Sequence, residues 1–313
     1  MTGPQAHLLP DGRRLHLNHG PIDLILEAWG RPAAVRAAYA RATRRFDGLL
    51  QELVDELPAL RSPDPPPLRG PVARAMARAA ARHRPVFLTP MAAVAGAVAD
   101  EICAVMAADG DLDRAYVNDG GDIALHLTPG TTITAAIAAR IGLPDRVAIA
   151  HADPVRGIAT SGWGGRSFSF GIADAVTVLA RTAAEADAAA TLVANAVDLP
   201  GHPAIARRPA RALQHDTDLG DRRVTTAVGT LTPAEVATAL AAGAAAAETM
   251  RARNLIVAAA LFLAEDCRIV GPLPLATARG AYPRGDEDGL APTLADPIAR
   301  HDDVCGQVGV RAS

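Results

Sequence analysis

The chain has 313 residues, 50% of them apolar but only 3% aromatic, and a formal net charge of -3. That length can bury a large core of alanine and small aliphatic side chains, in one domain or two. The charge argues against general nucleic-acid affinity, which needs concentrated basic surface. All 31 basic residues are arginine, and the lack of lysine excludes Schiff-base, pyridoxal and P-loop lysine chemistry.

No uninterrupted apolar run of about 18 residues occurs, and the first 20 residues lack the apolar segment of a secretory signal. The expectation is a cytoplasmic chain without a membrane partner. Cys103, Cys267 and Cys305 are scattered without paired spacing, which fits reduced thiols.

In chain order, residues 14–28 predict two short strands around the turn NHGP. Over 31–57 the apolar positions Val35, Ala38, Tyr39, Ala42, Phe46, Leu49, Leu50 and Val54 recur at three and four, the period of an amphipathic helix. The proline-rich stretch SPDPPPLRGP then forms a loop. Further helices are predicted over 72–82 and 92–108. A hairpin follows over 115–127, then strands over 133–141 and from VAIAH to about 157, and a short strand or bend at GIATSG. Residues 173–194 read as one alanine-rich helix, 200–222 as a polar loop, and RRVTTAVG as a strand. Thr232, Pro233 and Glu235 begin the last helix with a capping box, and Leu231 with Val236 provides its hydrophobic staple. Two strands joined at 265–267 end the ordered text. A single domain over 1–272 with a flexible tail over 273–313 is expected. The element order predicts an α+β fold, antiparallel sheets with long helices packed on one face.

Two stretches carry chemistry. In AYVNDGGDIALHL, residues 115–127, the glycines Gly120 and Gly121 suit a tight hairpin turn. Turn formation accounts for most of it, but not for two carboxylates, Asp119 and Asp122, around the glycine pair beside Asn118. In the second stretch, Thr160, Ser161, Gly162, Gly164, Gly165 and Arg166 precede Asp174 and Thr177. Glycine-freed amides can wrap phosphate oxygens, and arginine adds a bidentate clamp. On the predicted helix, Asp174 and Thr177 share a face, a pairing that suits Mg²⁺. The competing reading makes Asp174 a first-turn carboxylate and Thr177 a packed residue.

In this order the stretches resemble the ApbE-like superfamily, whose characterised members are FAD:protein FMN transferases. Its N-x-G-G-D-hydrophobic turn is matched by Asn118, Gly120, Gly121, Asp122 and Ile123. Its A-T-S-G strand end is matched at 159–162, and its A-D-A-x-x-T start loosely by Ala173, Asp174, Ala175 and Thr177. AAVAGAVAD, 92–100, resembles the family's G-I-A-K-G-Y-A-V-D helix more weakly. The resemblance covers about 14–271, with a shorter branch the nearest match. It implies a T-fold-like architecture and FAD surrounded by Asn118, Asp119, Gly120, Gly121, Asp122, Thr160, Ser161, Gly162, Gly164, Gly165 and Arg166. Asp174 and Thr177 would be the catalytic pair holding Mg²⁺. A flavoprotein would be the acceptor partner, and a homo-oligomer is compatible with the sequence. Three departures stand out: Ala95 replaces the family's helix lysine, the H-I-I-D-P-x-T-G segment is absent, and the Asp-to-Thr spacing is three where the family has four. They raise the alternative of a non-catalytic flavin- or heterocycle-binding protein, or an assembly protein for a redox enzyme.

Overall fold

The computed structural model describes residues 3–137 and 146–273. Strands β1 (Gln5–Leu8), β2 (Leu15–His19) and β3 (Ile22–Gly30) open the chain. Helices α1 (Pro32–Asp55), α2 (Leu57–Leu60), α3 (Pro71–Ala81) and α4 (Val94–Ala107) follow. Next come β4 (Leu112–Asp119), β5 (Asp122–Leu127), β6 (Thr132–Ala136), β7 (Arg146–Ala150), β8 (Gly157–Ser161) and β9 (Ala175–Ala180). The chain continues with α5 (Ala183–Ala196), β10 (Ile205–Pro209), β11 (Arg223–Val228), α6 (Pro233–Ala252), β12 (Ala258–Leu263) and β13 (Asp266–Val270).

Nine strands form one sheet in the order β1-β2-β3-β4-β5-β8-β9-β12-β13, and two separate ladders join β6 to β7 and β10 to β11. Among the described residues every pairing within the large sheet is antiparallel, and β5 meets β8 through Ile123 opposite Ile158 and Ala124 opposite Gly157. Strand alternation divides the side chains between two layers. Leu15, Leu17, Leu24, Leu26, Val117, Ala124, Val176 and Val178 pack with the helices, among them Phe46, Ile102, Met106 and Val193. Tyr116, Ile123, Leu125, Ile158, Leu179 and Phe262 face the opposite way, against Ile133, Val147 and Ile149 of the β6–β7 hairpin. The mixed α and β architecture with a large antiparallel sheet agrees with the sequence reading. The helices do take one face, and a two-stranded cover occupies part of the other.

The structure adds β1 and corrects the readings of 200–222 and 173–194, while two further expectations fall wholly or partly outside the described residues. β1 and β10 were not foreseen, and β10 lies inside the stretch read as a polar loop. The strand expected over 133–141 spans Thr132–Ala136, and its remainder lies largely outside the described residues. The expected tail lies almost wholly outside them as well. Most consequential is 173–194, where Ala175–Ala180 is a central strand and the helix begins only at Ala183. A strand covered on both faces reads as a continuous apolar run, so AVTVLA has no period to separate it from a helix. The true helix start is marked by Thr182, whose hydroxyl accepts from the Glu185 amide at 3.2 Å.

Close backbone contacts lock this region. A Cβ on Gly96 would lie 2.3 Å from the Ala183 carbonyl oxygen, and one on Gly157 would lie 2.0 Å from the Thr182 carbonyl carbon. Glycine at both positions lets α4, β8 and the start of α5 meet at backbone distance. Among the described residues, Pro90–Ala107 is the one segment long and apolar enough to cross a membrane, with mean hydropathy 1.5. Half of it is buried, and α4 supplies Val98, Ile102 and Met106 to the core.

Candidate functional site

The β4–β5 hairpin turns through Gly120 at φ +63° and Gly121 at φ +117°, values open to glycine and costly for other residues. The Gly121 amide donates to Asn118 Oδ1 at 2.9 Å, closing the turn. Register places Asp119 opposite Asp122 and Leu24 opposite Asp119, so both carboxylates leave the sheet on its helix side.

There they meet two acidic residues from the helices. Asp100 of α4 accepts from the Ala183 and Ala184 amides, each at 2.9 Å, and caps α5. Asp187 of α5 accepts from the Gly96 amide at 3.0 Å and caps α4 in return. The two helices thus exchange carboxylate caps at their positive ends. Asp122 accepts from the Thr160 amide of β8 at 3.3 Å. Asp119 is buried, whereas Asp100, Asp122 and Asp187 keep partial exposure.

Crowding raises every one of these acids. Burial pushes Asp119 up to about 7 against the opposing charge of Arg166. Burial likewise pushes Asp100 up to about 6, opposed by its amide donors. Asp122 and Asp187 titrate together, both well above the usual carboxylate range. Burial dominates, with Asp187 and Asp119 adding repulsion on Asp122, and Asp119 and Asp100 on Asp187.

The glycine bend after β8 closes over the hairpin. Arg166 is exposed, and its guanidinium rests on the turn so closely that a Cβ on Gly120 would lie 1.8 Å from Nη2. The bend is anchored at its root. A Cβ on Gly162 would lie 2.3 Å from the Asp174 carbonyl oxygen, and the Trp163 amide donates to the Ala173 carbonyl at 3.0 Å. The Gly165 amide donates to the Gly162 carbonyl at 3.3 Å, leaving Gly164 and Gly165 exposed at the crest. Ser161 ends β8 opposite Val176.

The expected site residues therefore fall into two groups. Asn118, Asp119, Gly120, Gly121, Asp122, the Thr160 amide and Arg166 converge, and Gly162 joins this assembly to Asp174. Asp174 and Thr177 do not share a helix face. On strand geometry, residues three apart point to opposite sides. Thr177 is buried, with its hydroxyl 2.9 Å from that of Thr160 across the β8–β9 ladder. The Asp174 carboxylate accepts from Trp163 Nε1 at 3.4 Å and from the Ala264 amide at 2.8 Å. Ala264 sits at φ +51°, so Asp174 braces the left-handed residue of the β12–β13 turn. Among the described residues no group of three or more His, Cys, Asp or Glu side chains is arranged to hold a metal ion. The sequence reading missed Asp100, Asp187 and Trp163. The sequence signal available was a pair of carboxylates in each of two alanine-rich helices, Asp100 with Glu101 and Glu185 with Asp187.

A family model described as AbpE bacteria matches residues 6–269. The chain belongs to this family. The hairpin, the glycine bend and both mutually capped helices lie inside the matched region. The chain is also similar to archaeal UPF0280 proteins. It is 38% identical over 125 residues to one from Methanopyrus kandleri, covering 40% of this chain and 48% of that protein. For Methanothrix thermoacetophila the figures are 40% identity over 112 residues, 34% of this chain and 46% of the relative. For Archaeoglobus fulgidus they are 38% over 111 residues, 34% and 44%. The chain spans about half the length of these relatives.

Proposed function

We propose that this chain binds a flavin nucleotide, FAD in the first instance, between the tip of the β4–β5 hairpin and the glycine bend after β8. The observation that carries the reading is the seating of Arg166 on Gly120, facing Asp119 and Asp122. An exposed guanidinium beside the exposed glycines Gly164 and Gly165 suits a pyrophosphate, which accepts bidentate donors and needs close approach to the backbone. The carboxyls beneath supply the other half. Because burial keeps protons on them toward neutral pH, they both donate and accept. That suits the alternating carbonyl and N–H edge of a flavin or similar heterocycle.

The geometry weighs against a Mg²⁺ ion shared by Asp174 and Thr177. Thr177 is turned into the layer under β6–β7, and Asp174 is engaged with Trp163 and Ala264. The pair does not fit the ion. Binding without FMN transfer, in a flavin carrier or an assembly protein for a redox enzyme, is the form favoured here. A flavoprotein acceptor belongs to the transferase alternative.

Titration of the full chain with FAD, followed by flavin fluorescence, tests the proposal. Saturable binding is expected. Arg166→Ala should weaken it by about 10- to 100-fold, the scale of a lost charged hydrogen bond. No AMP should appear when Mg²⁺ is added. A chain that binds neither FAD nor FMN would end the flavin reading, and Mg²⁺-dependent AMP release would establish the transferase instead.

A further inference from the structure

On the sheet face away from the carboxylates, the edge strands carry a group of side chains that flavin binding does not use. His7 of β1 stands directly opposite His16 of β2 in the antiparallel ladder. Their rings meet edge to face with centroids 4.6 Å apart, and His7 Nε2 lies 3.0 Å from His16 Nδ1. The second nitrogen of His16, Nε2, is bound by the carboxylate of Asp23 on β3. Because His16 alternates with the buried Leu15 and Leu17, it projects from the other face of the sheet, and His7 and Asp23 are exposed.

The protons follow from this arrangement. A carboxylate only accepts, so His16 Nε2 carries hydrogen, and neutral His16 presents a bare Nδ1 lone pair toward His7. His7 answers with its Nε2–H. If that proton moves to Nδ1 of the exposed His7 ring, two imidazole lone pairs are left on nitrogens 3.0 Å apart, with no net proton lost. A tetrahedral ion bonded to nitrogen at about 2.0–2.1 Å separates two such nitrogens by about 3.3 Å, within a small ring rotation of the spacing present. The carboxylate behind His16 is the partner that fixes tautomer and orientation in histidine–metal sites.

We propose that His7 and His16 form a divalent transition-metal site of the zinc, nickel or copper class, with Asp23 positioning His16 and water completing the shell. Borderline nitrogen donors select these ions over Mg²⁺ and Ca²⁺. The ion joins β1 to β2 and so stabilises an edge strand whose four residues are all exposed.

Zn²⁺ titration of the full chain by calorimetry near pH 8 tests this, with nitrogen NMR of the imidazoles as a readout needing no substitution. A Zn²⁺ binding event is expected that His16→Gln or His7→Gln removes. Asp23→Asn should weaken it by about 10- to 100-fold. Shifts should fall on His7 Nε2 and His16 Nδ1. Zn²⁺ binding with unchanged affinity in His16→Gln, shifts confined to other histidines, or no binding by the unsubstituted chain would each overturn the proposal.

Discussion

At the scale of single residues, the site is defined by charges that lie close together away from bulk water. Asp174 shows how one side chain can be read two ways. Its position before Thr177 suggests a metal ligand, while its contacts make it the brace of a turn at Ala264. Replacing it separates the two. Asp174→Ala is expected to lower stability by about 1 kcal/mol through the lost amide contact, measured by urea unfolding. FAD affinity should be nearly unchanged, because Arg166 and the hairpin remain. Loss of FAD binding in a variant with native stability would return Asp174 to the ligand site. Cys103 provides the contrast of a group made inert by the same physics: complete burial pushes its thiol up to about 12.

At the scale of elements, the packing of α4, α5 and β8 depends on missing side chains. A methyl group on Gly96 has the Ala183 backbone in its way, so relief requires moving a helix and not a flexible side chain. Gly96→Ala is expected to cost about 1–3 kcal/mol, the range for overpacking a dense interior, read as a lower urea midpoint. An unchanged midpoint would show that α4 and α5 can separate freely. Much of this level was legible in the sequence. The period of α1 and the capping box of α6 are local signals, and both elements form where expected; Thr232 and Glu235 make the reciprocal contacts. The hairpin was legible because Gly120 and Gly121 constrain the backbone directly. β9 was not, because burial on both faces erases alternation, and its misreading carried Asp174 and Thr177 onto a false helix face. Asp100 and Asp187 were also hidden. Their partners are amides of a helix 83 to 91 residues away in the chain, a relation no local pattern encodes.

At the scale of the whole molecule, the raised acids set the pH response. Asp119, Asp100, Asp122 and Asp187 hold protons in the folded chain that they release near pH 4 when unfolded. Their contribution is complete below that point and is lost as pH rises, through about 6 for Asp100 and about 7 for Asp119 and Asp187. His83 opposes them: burial, then the charges of Arg253 and Arg82, lower its imidazole to about 4. Its contribution is present above about pH 6.5 and declines as pH falls toward 4. Burial lowers His126 as well; four carboxyls outweigh two imidazoles, so the melting temperature should be higher at about pH 5 than at about pH 8, as calorimetry would measure. A lower value at pH 5 would mean that the four acids are not held together as described. The central claim, that hairpin tip and glycine bend form one flavin site, is tested most directly by following backbone amide resonances of the full chain during FAD addition. Saturable shifts are expected at Gly120, Gly121, Gly164, Gly165 and Arg166, with the β6–β7 cover unaffected. Shifts confined to that cover, or none at the hairpin, would contradict the account.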